Sequence, residues 1–477
     1  MDNDNSVKDS VVSFQSSQGL ELRASPLRLS RYQIAFELYH PSEVLRLSEV
    51  LGEFRIVMQD RQIYFGKAVI HNLIHTGMTT VCEAALEEGS WIDVEFDHMA
   101  NGRLRKDFAE FIVEWQKLYR VLPEYKGVIA DLQTFLTDLR LWLEQVELGI
   151  RSSPSMQRVE LERHVLEELA EPIISNIDGF IERFETIAES LDPALQPTHR
   201  QYLRRQLHPL LMNSPFAHRA YFKPLGYAGD YEMVDMMVRS PYEGGSLFAK
   251  VINVWLLGQA PVQAHRNRIG YLEKKLLELS AGSRANKQTT RVFSLGCGPA
   301  VEVQRFLREQ TASERVSFTL LDFNAETLQH LDATLGAIKR QFQRTTPVEL
   351  VRKSVHQLLK EAAKSVQQAP EKQYDLIFCA GLFDYLSDQV CKRLMSLCYD
   401  FLAPGGLLLT TNVTDTMNAR RPFRHSLEYI LDWYLFYRDG ARLRALAPDR
   451  APLGSVTVLS EETGVNLMLE VRKPLHV

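Results

Sequence analysis

Cysteine is scarce in this chain. Five thiols in 477 residues (Cys82, Cys297, Cys379, Cys391, Cys398) form no CxxC pair. Neither a disulfide scaffold nor a zinc module is expected, and reduced thiols of a cytoplasmic protein are the reading. Bulk positive charge is also missing. Lys+Arg 55 against Asp+Glu 60 gives a net charge of −5, which excludes a nucleic-acid protein held by general electrostatics. The longest apolar run, near Val251–Leu257, is broken by Asn253 and falls far short of the roughly 20 residues that span a bilayer. The opening Met1-Asp-Asn-Asp-Asn-Ser6 is acidic and polar, unlike a secretory leader. No Ser-His-Asp or Cys-His pattern offers a nucleophile. His71 and His75 stand at helical spacing inside a strand-rich segment, so no metal site is expected.

What is present reads as a folded multidomain protein. Hydrophobic residues make up 45% and charged residues 24%, close to the globular average. At about 150 residues per domain the length allows roughly three. Residues 1–20 are polar and Ser-rich, expected as a disordered tail. Short alternating runs over 21–100 (Tyr32–Leu38, Phe54–Met58, Ile63–Ile70, Met78–Ala84, Trp91–Phe96) predict a small β-barrel. Residues 101–285 carry apolar positions at helical spacing, interrupted by a loop at Phe222–Asp230. From 286 to 477 strands alternate with helices and close in a hairpin, Ser455–Leu459 and Val465–Val471. That order predicts an α/β Rossmann-like sheet ending in an antiparallel hairpin.

Ser294-Leu-Gly-Cys-Gly-Pro-Ala300 lies between a predicted strand and a predicted helix. Gly296 and Gly298 allow a ligand close to the backbone. Asp322 follows 24 residues after Gly298, at the end of the next predicted strand. That is where an acid meets ribose hydroxyls in a doubly wound sheet; capping of the following helix is the other use of the same residue. Dinucleotides and S-adenosyl-L-methionine both use this layout. The third glycine of the dinucleotide pattern is absent, and Pro299 removes an N–H that would serve a phosphate. A ligand without phosphate fits better.

At these residues the chain resembles the class I S-adenosyl-L-methionine-dependent methyltransferases. Leu295-Gly-Cys-Gly-Pro299, Leu320-Leu-Asp322, Tyr374-Asp-Leu-Ile-Phe-Cys-Ala-Gly-Leu-Phe-Asp-Tyr385 and Leu402-Ala-Pro-Gly-Gly406 match the family's stations in order. Where the family often has a carboxylate, this chain has Ser294; Glu302 is the substitute for the amino-group contact. A narrower resemblance, over about residues 165–477, rests on three segments: His218–Glu232, Ala380–Ser387 and Leu431–Arg438. These are similar to bacterial biosynthesis proteins for the extracellular quorum-sensing factor 3-hydroxypalmitic acid methyl ester. The resemblance implies methyl esterification of a lipophilic acid. The N-terminal strands resemble a PilZ barrel. The PilZ signature is degraded, with Arg28 and Arg31 at the wrong spacing and Ile74 where serine belongs in Asn72–Gly77. Cyclic di-GMP binding is therefore not expected.

The resemblance implies cofactor contacts from Tyr221, Tyr227 and Asp230 in an aromatic lid. It adds Gly296, Cys297, Gly298, Pro299 and Glu302 in and after the turn, Asp322, Phe323 and Asn324 at the second strand, and Ala380 and Gly381 at the fourth. Asp384, Tyr385 and Asn412 are the candidates facing the acceptor. Arg438 suits a substrate carboxylate or a surface role. A carboxylate acceptor is already ionised at neutral pH; a hydroxyl acceptor would need a base, with Asp384 nearest. The expected partner is a small lipophilic substrate, with no nucleic acid; peripheral membrane contact and oligomeric state stay open. Two alternatives remain: an interaction protein with a relic cofactor fold, and an aminocarboxypropyl transferase using the same cofactor.

Overall fold

The computed structural model describes residues 10–17, 19, 21–38, 45–58, 61–75, 80–92, 103–119, 121–286, 289–364, 373–414 and 423–475. The chain divides into two compact units. One comprises Met1–Gly226, Pro241–Leu256 and His425–Asp432; the other comprises Tyr227–Ser240, Leu257–Arg424 and Trp433–Val477.

The first unit opens with a barrel of six antiparallel strands: β1 (Val11–Gln15), β2 (Glu21–Leu29), β3 (Gln33–Leu38), β4 (Val50–Met58), β5 (Arg61–His75) and β6 (Thr80–Leu86). It closes in the order β1-β2-β3-β6-β5-β4. Alternation drives the closure. Val12, Phe14, Ile34, Phe36, Phe54, Ile56, Tyr64 and Ile70 all point inward and are buried, while their neighbours face outward. Phe14, Phe36 and Phe54 pack ring to ring at 5.4 to 5.7 Å. The expected disordered tail of residues 1–20 is corrected over Val11–Gln15; residues 1–9, 18 and 20 lie outside the described residues. Val11–Gln15 is the strand that pairs with both β2 and β4. Without it two edges would stay unpaired, and Val12 and Phe14 would lose their burial. Of the expected strand Trp91–Phe96, Trp91 forms a single bridge to Tyr64; residues 93–96, like Thr76 and Gly77 of the degraded signature, lie outside the described residues.

The long helices follow: α1 (Arg103–Tyr119), α2 (Pro123–Arg151), α3 (Ser155–Glu189), α4 (Gln196–Leu211) and α5 (Pro215–Phe222). After them come α6 (Tyr231–Val238), α7 (Leu247–Leu257) and α8 (Ala260–Asn286). The interruption expected at Phe222–Asp230 separates α5 from α6. The units divide inside that loop. α6 and α8 cluster with the C-terminal sheet, although sequence order places them in the helical region. No helix among the described residues is long and apolar enough to cross a membrane.

The second unit is built on a seven-stranded sheet: β7 (Thr290–Leu295), β8 (Val316–Asp322), β9 (Val348–Arg352), β10 (Tyr374–Cys379), β11 (Leu402–Val413), β12 (Val456–Ser460) and β13 (Asn466–Arg472). The order is β12-β13-β11-β10-β7-β8-β9. β9-β8-β7-β10-β11 run parallel, and β13 lies antiparallel between β11 and β12. The expected closing hairpin is this pair. The crossover helices are α9 (Val301–Glu309), α10 (Ala325–Gln341), α11 (Val355–Lys364) and α12 (Asp388–Phe401). Two short helices, α13 (Arg424–Ile430) and α14 (Gly440–Arg444), precede the hairpin. Most of α13 belongs to the first unit. The central strand β10 reads Tyr-Asp-Leu-Ile-Phe-Cys and is buried at five of its six positions, as a strand covered on both faces requires. The chain leaves β7 towards β8 on one side and returns as β10 on the other. The carboxyl ends of β7 and β10 therefore flank a topological switch point, where open α/β sheets bind their ligands.

Candidate active site

The turn after β7 is held by its neighbour strand. The amides of Gly296 and Cys297 both donate to Leu321 O, at 2.9 and 3.0 Å. This pulls the loop over the end of β8 and places it beside Asp322. Gly296 has φ +67° and Gly298 φ +52°, backbone that favours glycine. A Cβ at Gly298 would meet no atom within 4 Å. Protein packing leaves room there for a ligand.

Asp322, at the end of β8, is buried with 7% of its surface exposed. One carboxylate oxygen accepts the Gly298 amide at 3.1 Å and the other accepts the Asn324 amide at 2.9 Å. Burial raises its pKa, and these backbone donors oppose the rise. Each oxygen keeps a further lone-pair direction for a hydroxyl. Asn324 caps α10, its side chain accepting from Thr327 N at 3.0 Å. Phe323 is half exposed and its ring centre lies 5.1 Å from that of Tyr227.

The segment carrying Tyr227 is fastened along α10. Tyr231 donates to Glu326 at 2.9 Å and stacks on His330 at 4.5 Å. His330 reaches Asp235 at 3.1 Å. Asp230, expected at the cofactor, is buried and caps α6 through Met233 N at 3.0 Å. Gly229 (φ +73°) lies so close to the aromatic wall that a Cβ would sit 2.7 Å from Tyr385 Oη and 3.4 Å from Trp433. Trp433 Nε1 donates to Tyr385 Oη at 2.9 Å. Tyr221, the third tyrosine of the expected lid, belongs to the first unit. Its ring packs on His208 at 4.5 Å and under Arg204.

At the end of β10, Ala380 packs against the core, and Gly381 turns with φ +96°. Gly381 N donates to Thr411 Oγ1 at 3.1 Å. Asp384 is buried; one of its oxygens accepts Val413 N at 2.8 Å. Burial pushes its pKa up to about 6 against the pull of Arg268 and Arg438. Tyr385 is likewise pushed above the ordinary phenol range, by burial and then by Asp384. Glu302, in the first turn of α9, is buried and raised to about 7 by that burial, with its own amide and Arg268 opposing. Cys297 is buried among apolar residues, with its thiol pushed well up by burial. Pro299 O accepts from Gln304 at 2.7 Å, so both are parts of the turn's own packing.

Two expectations change. Asn412 does not present its amide to an acceptor. It is fully buried, accepts from Arg438, and donates to Val413 O and Phe436 O at 2.8 Å each. Arg438 is neither a surface residue nor a substrate contact. It has no exposed surface, and its guanidinium donates to Asp388, Phe383 O, Asn412 and Leu386 O. Together they lock the loop after β10 to the end of β11.

One pair escaped the sequence reading. His265 and Arg268, one turn apart on α8, face the end of β10. Arg268 Nη2 donates to His265 Nδ1 at 2.6 Å, and the guanidinium lies against Gly381, where a Cβ would be 2.9 Å from Nη1. Their i,i+3 spacing just upstream of the first parallel strand was the only available signal. A charged residue on an amphipathic helix reads by default as solvated.

Residues 293–408 match the family model of a methyltransferase domain. This segment is a methyltransferase domain. S-adenosyl-L-methionine is its cofactor, and the residues at the switch point fit it: an acid whose two oxygens are held by backbone amides, beside open glycine backbone. No curated protein matches the chain. Parts of the chain are also similar to solved structures. A possible exported protein from Bordetella parapertussis shares 18% identity, covering 68% of this chain and 99% of its own, with a TM-score of 0.43. The N-methyltransferase NodS from Bradyrhizobium japonicum WM9 with S-adenosyl-L-homocysteine shares 14%, covering 51% and 98%, with a TM-score of 0.29. Magnesium protoporphyrin IX methyltransferase (ChlM) from Synechocystis PCC 6803 with bound SAH shares 10%, covering 45% and 87%, with a TM-score of 0.31.

Proposed function

We propose that this methyltransferase esterifies a small lipophilic acid, a 3-hydroxy fatty acid, at its carboxylate. The observation that carries the reading is the aromatic wall of Tyr385 and Trp433, joined over Gly229. It stands beside Asp384 and Gly381 at the switch point and suits an apolar chain. Asp322 would hold the ribose, Phe323 and Tyr227 would flank the base, and Glu302 would take the amino group. When bound, the cofactor supplies an electrophilic methyl group on a sulfonium. The acid's carboxylate oxygen forms the O–CH3 bond as the S–CH3 bond breaks, and that bond's electron pair returns to sulfur. No proton moves, so alignment is the main task of the protein.

A second reading is favoured by Asp384. A buried carboxyl near pKa 6 suits a general base for a hydroxyl acceptor. The barrel is read as a PilZ-like module that does not bind cyclic di-GMP. In support, Arg31 pairs with Glu88 at 3.5 Å, and the signature serine is replaced by Ile74.

The deciding experiment incubates the full chain with methyl-labelled cofactor and 3-hydroxypalmitic acid, followed by mass spectrometry. A labelled ester with S-adenosyl-L-homocysteine as coproduct is expected. A labelled ether at the 3-hydroxyl would replace it with the second reading. Methylthioadenosine as coproduct would overturn both in favour of aminocarboxypropyl transfer.

A further inference from the structure

Arg268 is a buried cation with no ion-pair partner among the described residues. Its residue is 8% exposed, yet among the described residues its one hydrogen bond goes to His265. That bond fixes the imidazole. Nδ1 accepts, so the ring proton sits on Nε2, which is buried without a partner. His265 is held neutral, its pKa pushed well down by burial and by the Arg268 and Arg266 guanidiniums; it props Arg268 without neutralising it. Glu302, Asp384 and Tyr385 lie close enough to act on Arg268 electrostatically, but among the described residues none forms an ion pair with it. Burying an unpaired guanidinium is costly. Its planar fork of five donors matches a carboxylate. The fork also sits at the switch point. It rests on Gly381, at the end of β10, and the adjoining Leu382 packs against Gly296, at the end of β7.

We propose that Arg268 is a carboxylate-binding residue of this site. Its guanidinium pairs with a ligand carboxylate at the switch point, while His265 holds its orientation from behind. The inference rests on the methyl-transfer reading, which brings two carboxylates to this place: the amino-acid arm of the cofactor and the acid acceptor. The chemistry is shared, and the test separates the sources.

Calorimetry of the full chain would compare S-adenosyl-L-homocysteine, which has the carboxylate, with methylthioadenosine, which lacks the amino-acid arm. A third titration adds 3-hydroxypalmitate to protein saturated with S-adenosyl-L-homocysteine. If the cofactor arm is the partner, Arg268→Gln weakens S-adenosyl-L-homocysteine about tenfold or more and leaves methylthioadenosine unchanged. If the acceptor is the partner, both nucleosides bind as before and 3-hydroxypalmitate weakens by a similar factor. Arg268→Lys keeps the charge without the fork and should fall between wild type and Arg268→Gln; it carries the comparison if the glutamine variant does not fold. Unchanged affinity for all three ligands in a folded variant would overturn the proposal. A wild-type chain that binds neither nucleoside would instead overturn the methyl-transfer reading beneath it.

Discussion

Asp322 receives the Gly298 amide on one carboxylate oxygen and the Asn324 amide on the other. The glycine turn and the acid are thus joined by hydrogen bonds into one object. Asp322→Ala removes both acceptors for the ribose and frees two amides. The expected result is a loss of about 100-fold in S-adenosyl-L-homocysteine affinity by calorimetry. Unchanged affinity would take Asp322 out of the site.

Gly381→Ala tests the seat of Arg268. The new methyl would sit 2.9 Å from Nη1 on backbone at φ +96°. The guanidinium is the end of a flexible side chain and can yield, so the strain is mainly the left-handed backbone, about 1–2 kcal/mol. A modest drop in melting temperature is expected, together with weakened binding of whichever carboxylate Arg268 holds. Full retention of that binding would separate Arg268 from its place on Gly381.

Glu302 and Asp384 link cofactor binding to protons. Their pKa values stand at about 7 and about 6 in the folded protein, above the ordinary 4.5 and 3.8. In the ligand-free protein their contribution to stability is therefore full below those ordinary values and is lost as pH rises through 6 and 7. Arg268 faces both; Glu273 and Arg305 also face Glu302, and Arg438 faces Asp384. A sulfonium and an ammonium brought beside these carboxyls favour their ionised forms. Affinity for S-adenosyl-L-methionine should rise from pH 5 to 8, with proton release seen as a dependence of calorimetric heat on buffer. Glu302→Gln and Asp384→Asn should each remove part of it. A heat independent of buffer near pH 6.5 would show that neither carboxyl faces the ligand's charge.

Arg438→Met should destabilise the second unit by about 3–5 kcal/mol. It strands Asn412 Oδ1 and the carbonyls of Phe383 and Leu386 without their donor. Denaturant unfolding would show the midpoint falling. A shift below about 1 kcal/mol would mean that the network relaxes around the gap.

All five cysteines are free and buried. Burial raises Cys82 to about 12 and Cys391 to about 11. A thiol reagent at pH 7.5 should therefore titrate no cysteine in the native protein and five in denaturant. Fast native labelling of Cys297 would mean that the glycine turn opens.

Local pattern set much of this molecule. The alternation of β3 to β6, the buried run of β10 and the Gly296-Cys-Gly298 turn followed by Asp322 were legible because each is written within a few consecutive residues. β1 was not, because two inward residues, Val12 and Phe14, sit in a Ser-rich stretch and matter only once β2 and β4 flank them. The same limit governed the site. Asn412 and Arg438 looked available for a substrate, and only the fold shows them engaged with each other. Arg268 carried no reading in the sequence, and only the fold brings it to Gly381.

The sequence by itself determined the strands other than β1, the turn and the acid at the end of β8, since backbone freedom and hydrophobic period act over short range. Which polar side chains remain unpaired was decided by tertiary structure alone. Pairing is a property of what comes within about 3 Å, and residues as far apart in the chain as Arg268 and Gly381 meet only when the sheet has brought α8 to the end of β10.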